Sequence, residues 1–189
     1  MIPRDAFFAV VRSDLYGGHI SQPAVDGFNA LLGEAEARAM DLRCTAYVLA
    51  TAYHETAHTM QPVREIGLGR GHEYGRPDPE TGQVYYGRGY VQLTWRANYQ
   101  ALGRLISVDL VHAPDRALEP AIAAKVLFEG MLRGLFTGQR LDHYFRPGVT
   151  DWINARRIIN GLDRATLIAG YAIQLHGACQ SPDSLTPIV

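Results

Sequence analysis

No long helix can cross residues 61–89. Gly67, Gly69, Gly71, Gly75, Pro77, Pro79, Gly82, Gly87 and Gly89 all fall there. Glycine and proline both oppose a continuous helix. The patterning on either side is helical, so the chain reads as helices around one irregular insertion. Short strands near 63–66 and 84–86, bracketing a loop, are the predicted form of that insertion. A long glycine-rich loop inside a compact domain is usually functional or mobile.

Helical spacing places Phe7, Phe8, Val11 and Leu15 on one face of a first helix over 3–15, with Pro3 suited to an early position. Ser21 resembles an N-cap for a second helix carrying Val25, Phe28, Leu31 and Leu32. Leu42 to Ala57 is the clearest helix, rich in alanine, with His54 and Glu55 near its end. Further helices are predicted at about 94–106, 119–135, 151–159 and 163–178, with a connector at 109–114 and a turn at Pro147-Gly148. The expected fold is one α+β domain over 1–189, mainly α-helical, with a small strand-and-loop insertion.

Composition narrows the function. The chain has 189 residues, 47% hydrophobic and 20% charged. A chain of that size and make-up can bury its own core without disulfides or metal. The net charge of −1 argues against electrostatic capture by nucleic acid or an anionic membrane. No apolar run approaches the ~20 residues of a membrane span. Cys44 and Cys179 are too few and too far apart for a disulfide framework. A monomer is expected. The start Met1-Ile2-Pro3-Arg4-Asp5 lacks the basic and apolar regions of a signal peptide, so synthesis in a cytoplasm is expected.

Chemistry concentrates in two places. The segment Tyr85-Tyr86-Gly87-Arg88-Gly89-Tyr90-Val91-Gln92-Leu93-Thr94-Trp95 gathers glycines, ring faces, an amide and a hydroxyl. Glycine lets backbone approach a ring closely. Aromatics offer faces to sugar C–H surfaces, and Gln92, Thr94 and Asn98 both donate and accept hydrogen bonds. Upstream, Glu55 and Glu65 are a carboxylate pair, one at a helix end and one beyond the turn at Gln61-Pro62. Glycoside hydrolysis uses such a pair. Asn160-Gly161, after Ile158-Ile159, reads as a helix end or turn, and an Asn reaching into a cleft is compatible with that.

A competing pattern overlaps the first glutamate. His54-Glu55-Thr56-Ala57-His58 fits H-E-x-x-H, in which two histidines one helical turn apart bind zinc and the Glu is a general base. His72, Glu73 or Glu80 could supply a third ligand. A zinc-dependent cell-wall peptidase is therefore the alternative of a different class. The segments Gly87-Arg88-Gly89 and Gly67 to Gly71 lack the lysine and Ser/Thr of a phosphate-binding loop.

Taken together, Ala52-Tyr53-His54-Glu55-Thr56, the Tyr85–Trp95 segment, Asn98-Tyr99 and Ile158-Ile159-Asn160-Gly161 resemble glycoside hydrolase family 19, the chitinase-like family on a lysozyme-type fold. The nearest likeness is to the short phage and prophage endolysins of that family. The resemblance implies Glu55 as general acid, Glu65 as general base and Thr94 as the hydroxyl that helps hold the attacking water. It implies Tyr86, Gln92, Asn98 and Asn160 as sugar-binding residues and His54 as their neighbour, with no metal and no cofactor. Glu73, in the same loop, is the rival base. The family inverts the anomeric centre, which needs carboxyl groups ~6.5–9.5 Å apart. Ala97 and the pair Leu162-Asp163 depart from the plant pattern of an aromatic before Asn98 and a Gly and Glu after Asn160-Gly161. Those departures favour peptidoglycan, a related amino-sugar polymer, over chitin. The expected activity is an N-acetylmuramidase-type endolysin, released from a bacterial cytoplasm onto the cell wall, with chitinase second.

Overall fold

The computed structural model describes residues 1–180. Helix α1 spans Arg4–Asp14, α2 Gln22–Ala37 and α3 Leu42–Glu55. A two-residue ribbon follows, β1 at Val63–Arg64 pairing antiparallel with β2 at Arg88–Gly89. Helices α4, Arg96–Leu105, and α5, Pro120–Arg133, come next. The short α6, Leu141–Tyr144, leads into a hairpin of β3, Phe145–Arg146, and β4, Val149–Thr150. Helix α7, Ala165–Cys179, ends the described chain. The fold is mainly α-helical with small sheets, as the sequence predicts.

Local chemistry explains the boundaries that matter for the site. Ser21 Oγ accepts the Ala24 N–H at 3.4 Å and starts α2. Asp41 Oδ1 accepts the Arg43 N–H at 2.7 Å and starts α3. Helix α3 stops at Glu55 because Ala57, His58 and Met60 all adopt left-handed backbone. Thr56 fastens that turn. Its hydroxyl donates to the Ala52 carbonyl at 2.8 Å and accepts the Met60 N–H at 3.0 Å. Gly27 of α2 makes room for the turn, since a Cβ there would lie 1.9 Å from the Met60 carbonyl oxygen.

Every residue of α3 from Cys44 to Tyr53 is buried, so α3 is the central helix, packed chiefly on α7. The main core joins α1, α2, α3, α5 and α7. A second apolar cluster, built on Tyr85, Leu93, Tyr99, Leu102, Leu110 and Ile122, lies between α4 and α5. It anchors the far side of the insertion.

The structure corrects two expectations and extends a third. The second strand of the insertion lies at 88–89, not 84–86, because the side chains of Tyr85 and Tyr86 turn into the core and Arg88 takes the pairing position. The helix expected at 151–159 is a single 3₁₀ stretch, Asn154–Ile158. The turn expected at Pro147-Gly148 is present and closes a hairpin with two strand residues on each side.

Candidate active site

Glu55 is the last residue of α3, and its side chain is 23% exposed. Its Oε1 accepts a hydrogen bond from Arg156 Nη1 at 2.6 Å. Arg156 is 5% exposed and is fixed from behind, where its Nε donates to the Asp163 carbonyl at 3.1 Å. One oxygen of Glu55 is thus held by a buried cation. The other has no hydrogen-bond partner among the described residues. The Asn160 N–H donates to the Arg156 carbonyl at 3.0 Å, so exposed Asn160 follows directly from the segment that carries the arginine. Asn160 Oδ1 accepts the Gly161 N–H at 2.8 Å.

Glu65 sits one residue beyond β1. Its N–H donates to the Gly87 carbonyl at 2.8 Å, which extends the ribbon by one pairing. Its carboxylate is held at both oxygens. Tyr74 Oη donates to Oε1 at 3.0 Å and the Gly87 N–H donates to Oε2 at 2.8 Å. Glycine is required at 87 by space, not by dihedral angle. A Cβ there would stand 2.6 Å from Gln92 Oε1 and 3.2 Å from the Glu65 Cβ. Glu65, Gly87 and Gln92 therefore meet in one place.

A tight turn positions Gln92. Arg88 and Leu93 pair through two backbone hydrogen bonds of 3.2 and 2.9 Å. Closing the four residues between them puts Gly89 and Gln92 at φ of 89° and 54°. Left-handed backbone at a non-glycine residue costs about 1–2 kcal/mol. Such outliers cluster where a site demands them. Gln92 Nε2 donates to the Val63 carbonyl at 3.2 Å, which ties the turn back to β1. Gln92, Thr94 and Asn98 line one hollow with Leu135, Phe136 and Ile159. Asn98 Nδ2 donates to the Thr94 carbonyl at 3.0 Å.

The predicted residues thus form two groups. Glu55 and Asn160 are linked through Arg156, which the sequence pattern does not single out, and Glu65, Gln92, Thr94 and Asn98 make the other group. Ile159, which precedes Asn160 in the chain, lines the hollow of Gln92, Thr94 and Asn98. Tyr86 is the exception among the predicted sugar-binding residues. It is buried, with the Arg88 guanidinium 3.5 Å from its ring centroid. Its exposed-face role is corrected to a structural one. Glu73 is exposed and opens the 3₁₀ turn Glu73–Gly75. Among the described residues its carboxylate makes no hydrogen bond of the kind that holds Glu65.

Arg88 supplies the reason for the motif around it. It is 4% exposed. It donates to Asp115 at 2.7 Å, to the carbonyls of Val84 and Tyr86 at 3.0 and 3.2 Å, and to Tyr99 Oη at 3.0 Å. Tyr99 Oη donates in turn to the Tyr86 carbonyl at 2.7 Å. Tyr85 donates to the Val111 carbonyl and Tyr90 to the Met60 carbonyl. Tyr85 and Tyr90 of the segment, and Tyr99 after it, are core residues with their hydroxyls tied to backbone. Trp95, 45% exposed, is the ring of the segment that faces outward.

The H-E-x-x-H reading fails on geometry. It needs both histidines one turn apart on a helix, and the helix ends before the second one. His58 is left-handed, at φ 71°. Its ring lies flat on Tyr53, 4.1 Å away with planes 9° apart. Among the described residues, no three His, Cys, Asp or Glu side chains converge as a metal site. His54 is half-buried, and burial chiefly holds its imidazole below the ordinary value, with the Glu55 charge opposing and Arg156 reinforcing.

Known proteins match this architecture. The family model described as chitinase class I, glycoside hydrolase family 19, matches residues 24–139. The chain belongs to that family. The matched stretch contains Glu55, Glu65, Gln92, Thr94 and Asn98, while Arg156 and Asn160 lie beyond it. An acidic endochitinase of Petunia hybrida is 34% identical over 171 residues, 89% of this chain and 63% of that protein. Endochitinase 1 of Theobroma cacao is 50% identical over 48 residues, 25% of this chain and 15% of that protein. The chain spans under two thirds of the length of these curated relatives. Chitinase C from Streptomyces griseus HUT6037 shares the fold with a TM-score of 0.62 at 21% identity, over 96% of this chain and 78% of that one.

Proposed function

We propose that this family 19 chain cleaves β-1,4 glycosidic bonds of bacterial peptidoglycan by inverting acid/base catalysis, as an N-acetylmuramidase-type endolysin. Glu55 gives its proton to the leaving glycosidic oxygen. Glu65 takes a proton from the water that attacks the anomeric carbon from the opposite face. The Thr94 hydroxyl helps hold that water. Gln92, Asn98 and Asn160 bind the flanking sugars. No cofactor takes part.

One observation carries the reading. Glu55 and Glu65 stand on different elements, and each is fixed by its own partners, Arg156 for the first and Tyr74 with Gly87 for the second. Two merely solvated glutamates would have no need of a buried arginine or of a glycine kept free of a side chain. Peptidoglycan is supported over chitin by the departures at Ala97, Leu162 and Asp163 from the plant pattern. Chitin hydrolysis is the second reading, favoured by the 34% identity to the petunia endochitinase.

Mass spectrometry of digests tests both. Purified peptidoglycan and colloidal chitin are incubated with the protein, and the new ends are identified. New reducing ends at muramic acid are expected. Soluble chitin oligomers without peptidoglycan turnover move the assignment to the second reading. New free amines alone reject a glycosidase.

A further inference from the structure

The fold gives no reason for tryptophan at position 95. Trp95 is the residue before α4, where its side chain makes no capping hydrogen bond. Ser, Thr, Asp, Asn or Gly are preferred at such a position. Its φ of 68° is in the left-handed region that favours glycine. The residue is 45% exposed, and burial therefore recovers only part of what a tryptophan could contribute. Three features that disfavour tryptophan for folding coincide at one residue beside the reaction centre. An outlier of that kind points to a use outside folding.

Its neighbours indicate the use. The Tyr74 ring meets Trp95 edge-on, 5.4 Å between centroids and 73° between planes. His72 stacks flat on Tyr74 at 4.9 Å. Tyr74 and Trp95, with Arg76, Pro77 and Pro79, line a hollow of about 300 Å³. That volume is at the lower end of the ~300–1,000 Å³ typical of small-ligand sites. The hollow adjoins the chemistry directly, because Tyr74 Oη donates to Glu65 Oε1 at 3.0 Å. A pyranose ring has an apolar C–H face that suits an indole, and polar edges that stay wet.

We propose that Trp95 and Tyr74 form a sugar-stacking subsite for one pyranose of the amino-sugar polymer, and that Tyr74 is also a positioning residue for the Glu65 carboxylate. This rests on the glycosidase reading above. The two rings then play different parts. Trp95 binds the sugar, and Tyr74 links the occupied subsite to the base.

Fluorescence tests the binding half without turnover. The chain has two tryptophans, Trp95 and Trp152, and Trp152 packs elsewhere, against Phe145 and His176. In a Glu55→Gln, Trp152→Phe variant, Trp95 is the sole emitter. Titration with the N-acetylglucosamine tetramer should give a saturable change in its emission. In otherwise wild-type protein, Trp95→Ala should raise KM about tenfold with kcat nearly unchanged. Trp95→Phe should recover much of that loss. Tyr74→Phe keeps the ring and should instead lower kcat about tenfold with KM nearly unchanged. An unmoved Trp95 signal, or wild-type KM and kcat in both variants, overturns the subsite while glycan hydrolysis by the wild type stands. Failure of the wild type to cut any glycan overturns the glycosidase reading instead, and the titration still decides whether the hollow binds sugar.

Discussion

Arg156 Nη1 lies 2.6 Å from Glu55 Oε1, across 101 residues of chain. The contact binds the end of the central helix to the 3₁₀ stretch that leads to Asn160. It holds one Glu55 oxygen and leaves the other without a hydrogen-bond partner among the described residues.

Arg156→Ala should therefore damage both activity and stability. It frees the Glu55 carboxylate to rotate, and a misplaced acid loses on the order of 100-fold in rate. It also removes a buried donor from the Asp163 carbonyl, for which about 1–3 kcal/mol is expected. Arg156→Lys keeps the charge but cannot reach both partners with one planar group, so it should fall between wild type and Ala. Steady-state rates and urea unfolding on the three proteins check this. Wild-type turnover in Arg156→Ala would show that the pair does not position the acid.

Glu55→Gln should abolish nearly all hydrolysis and leave the fold intact. A general acid contributes ~100- to 10,000-fold, and the amide keeps the shape without the proton. Activity of the wild type should survive EDTA. Circular dichroism, turnover and metal content are the measurements. One tightly bound zinc per chain, with activity lost on its removal, would return the peptidase alternative.

Arg88 is the test of the motif as architecture. Arg88→Met fills much of the same volume but takes the guanidinium donor from the Val84 carbonyl, and leaves the Tyr86 carbonyl and Tyr99 only the bond they make to each other. A loss of about 3 kcal/mol or more is expected, by the size of a broken buried charge network. The midpoint of urea unfolding reads it. A variant as stable as wild type would mean that the tyrosine hydrogen bonds hold the ribbon without the arginine.

The same residue shows where sequence reasoning stops. The segment around Arg88 is unmistakable in the sequence, yet ring stacking on sugar and packing in a core use the same aromatics, so Tyr86 could not be assigned from pattern. The place of Glu55 near the end of a helix was legible from the apolar spacing of α3, although the helix stops at Glu55 and not at Ala57. Arg156 was not, since its partner is far away in the chain. The run Ile153-Asn154-Ala155-Arg156-Arg157-Ile158 did hold one signal, two arginines among buried-type neighbours, of which one must turn inward and find an anion. The left-handed turn after α3 was invisible because no glycine marks it. That turn is what dismantles the zinc pattern.

Acid should destabilise the fold in two stages. His54 and His176 are both held below the ordinary imidazole value, first by burial. For His54 the Glu55 charge opposes and Arg156, His58 and Arg164 add to the effect; for His176 Asp41 opposes and Arg43 adds. The unfolded chain therefore binds protons that the folded chain refuses, and stability rises with pH through this range. The contribution is full above about 6.5 and is lost as pH falls below it. Glu36, Asp41, Glu129 and Asp151 are lowered too. Their loss belongs to a lower window, below about 4.5. Unfolding free energy measured from pH 8 to 5 should fall toward acid, and a His54→Gln, His176→Gln variant should flatten that slope. An unchanged slope would place its origin in other groups.

The choice of base rests on three substitutions compared on one purified peptidoglycan. Glu65→Gln should be nearly as damaging as Glu55→Gln, because the amide cannot take a proton from water during attack. It also meets the Gly87 N–H and Tyr74 hydroxyl with an NH₂ group in place of one accepting oxygen. Thr94→Ala should be milder, about tenfold to 100-fold, since a hydroxyl orients the water without taking its proton. Glu73→Gln should act like wild type. Glu73 is exposed on the rim and lacks the two donors that fix Glu65, so nothing directs its carboxylate at a bound sugar. If Glu73→Gln is dead and Glu65→Gln active, the base is Glu73. In that case the Tyr74–Glu65 hydrogen bond is a strut of the loop, and the loop itself must close over substrate to bring Glu73 in.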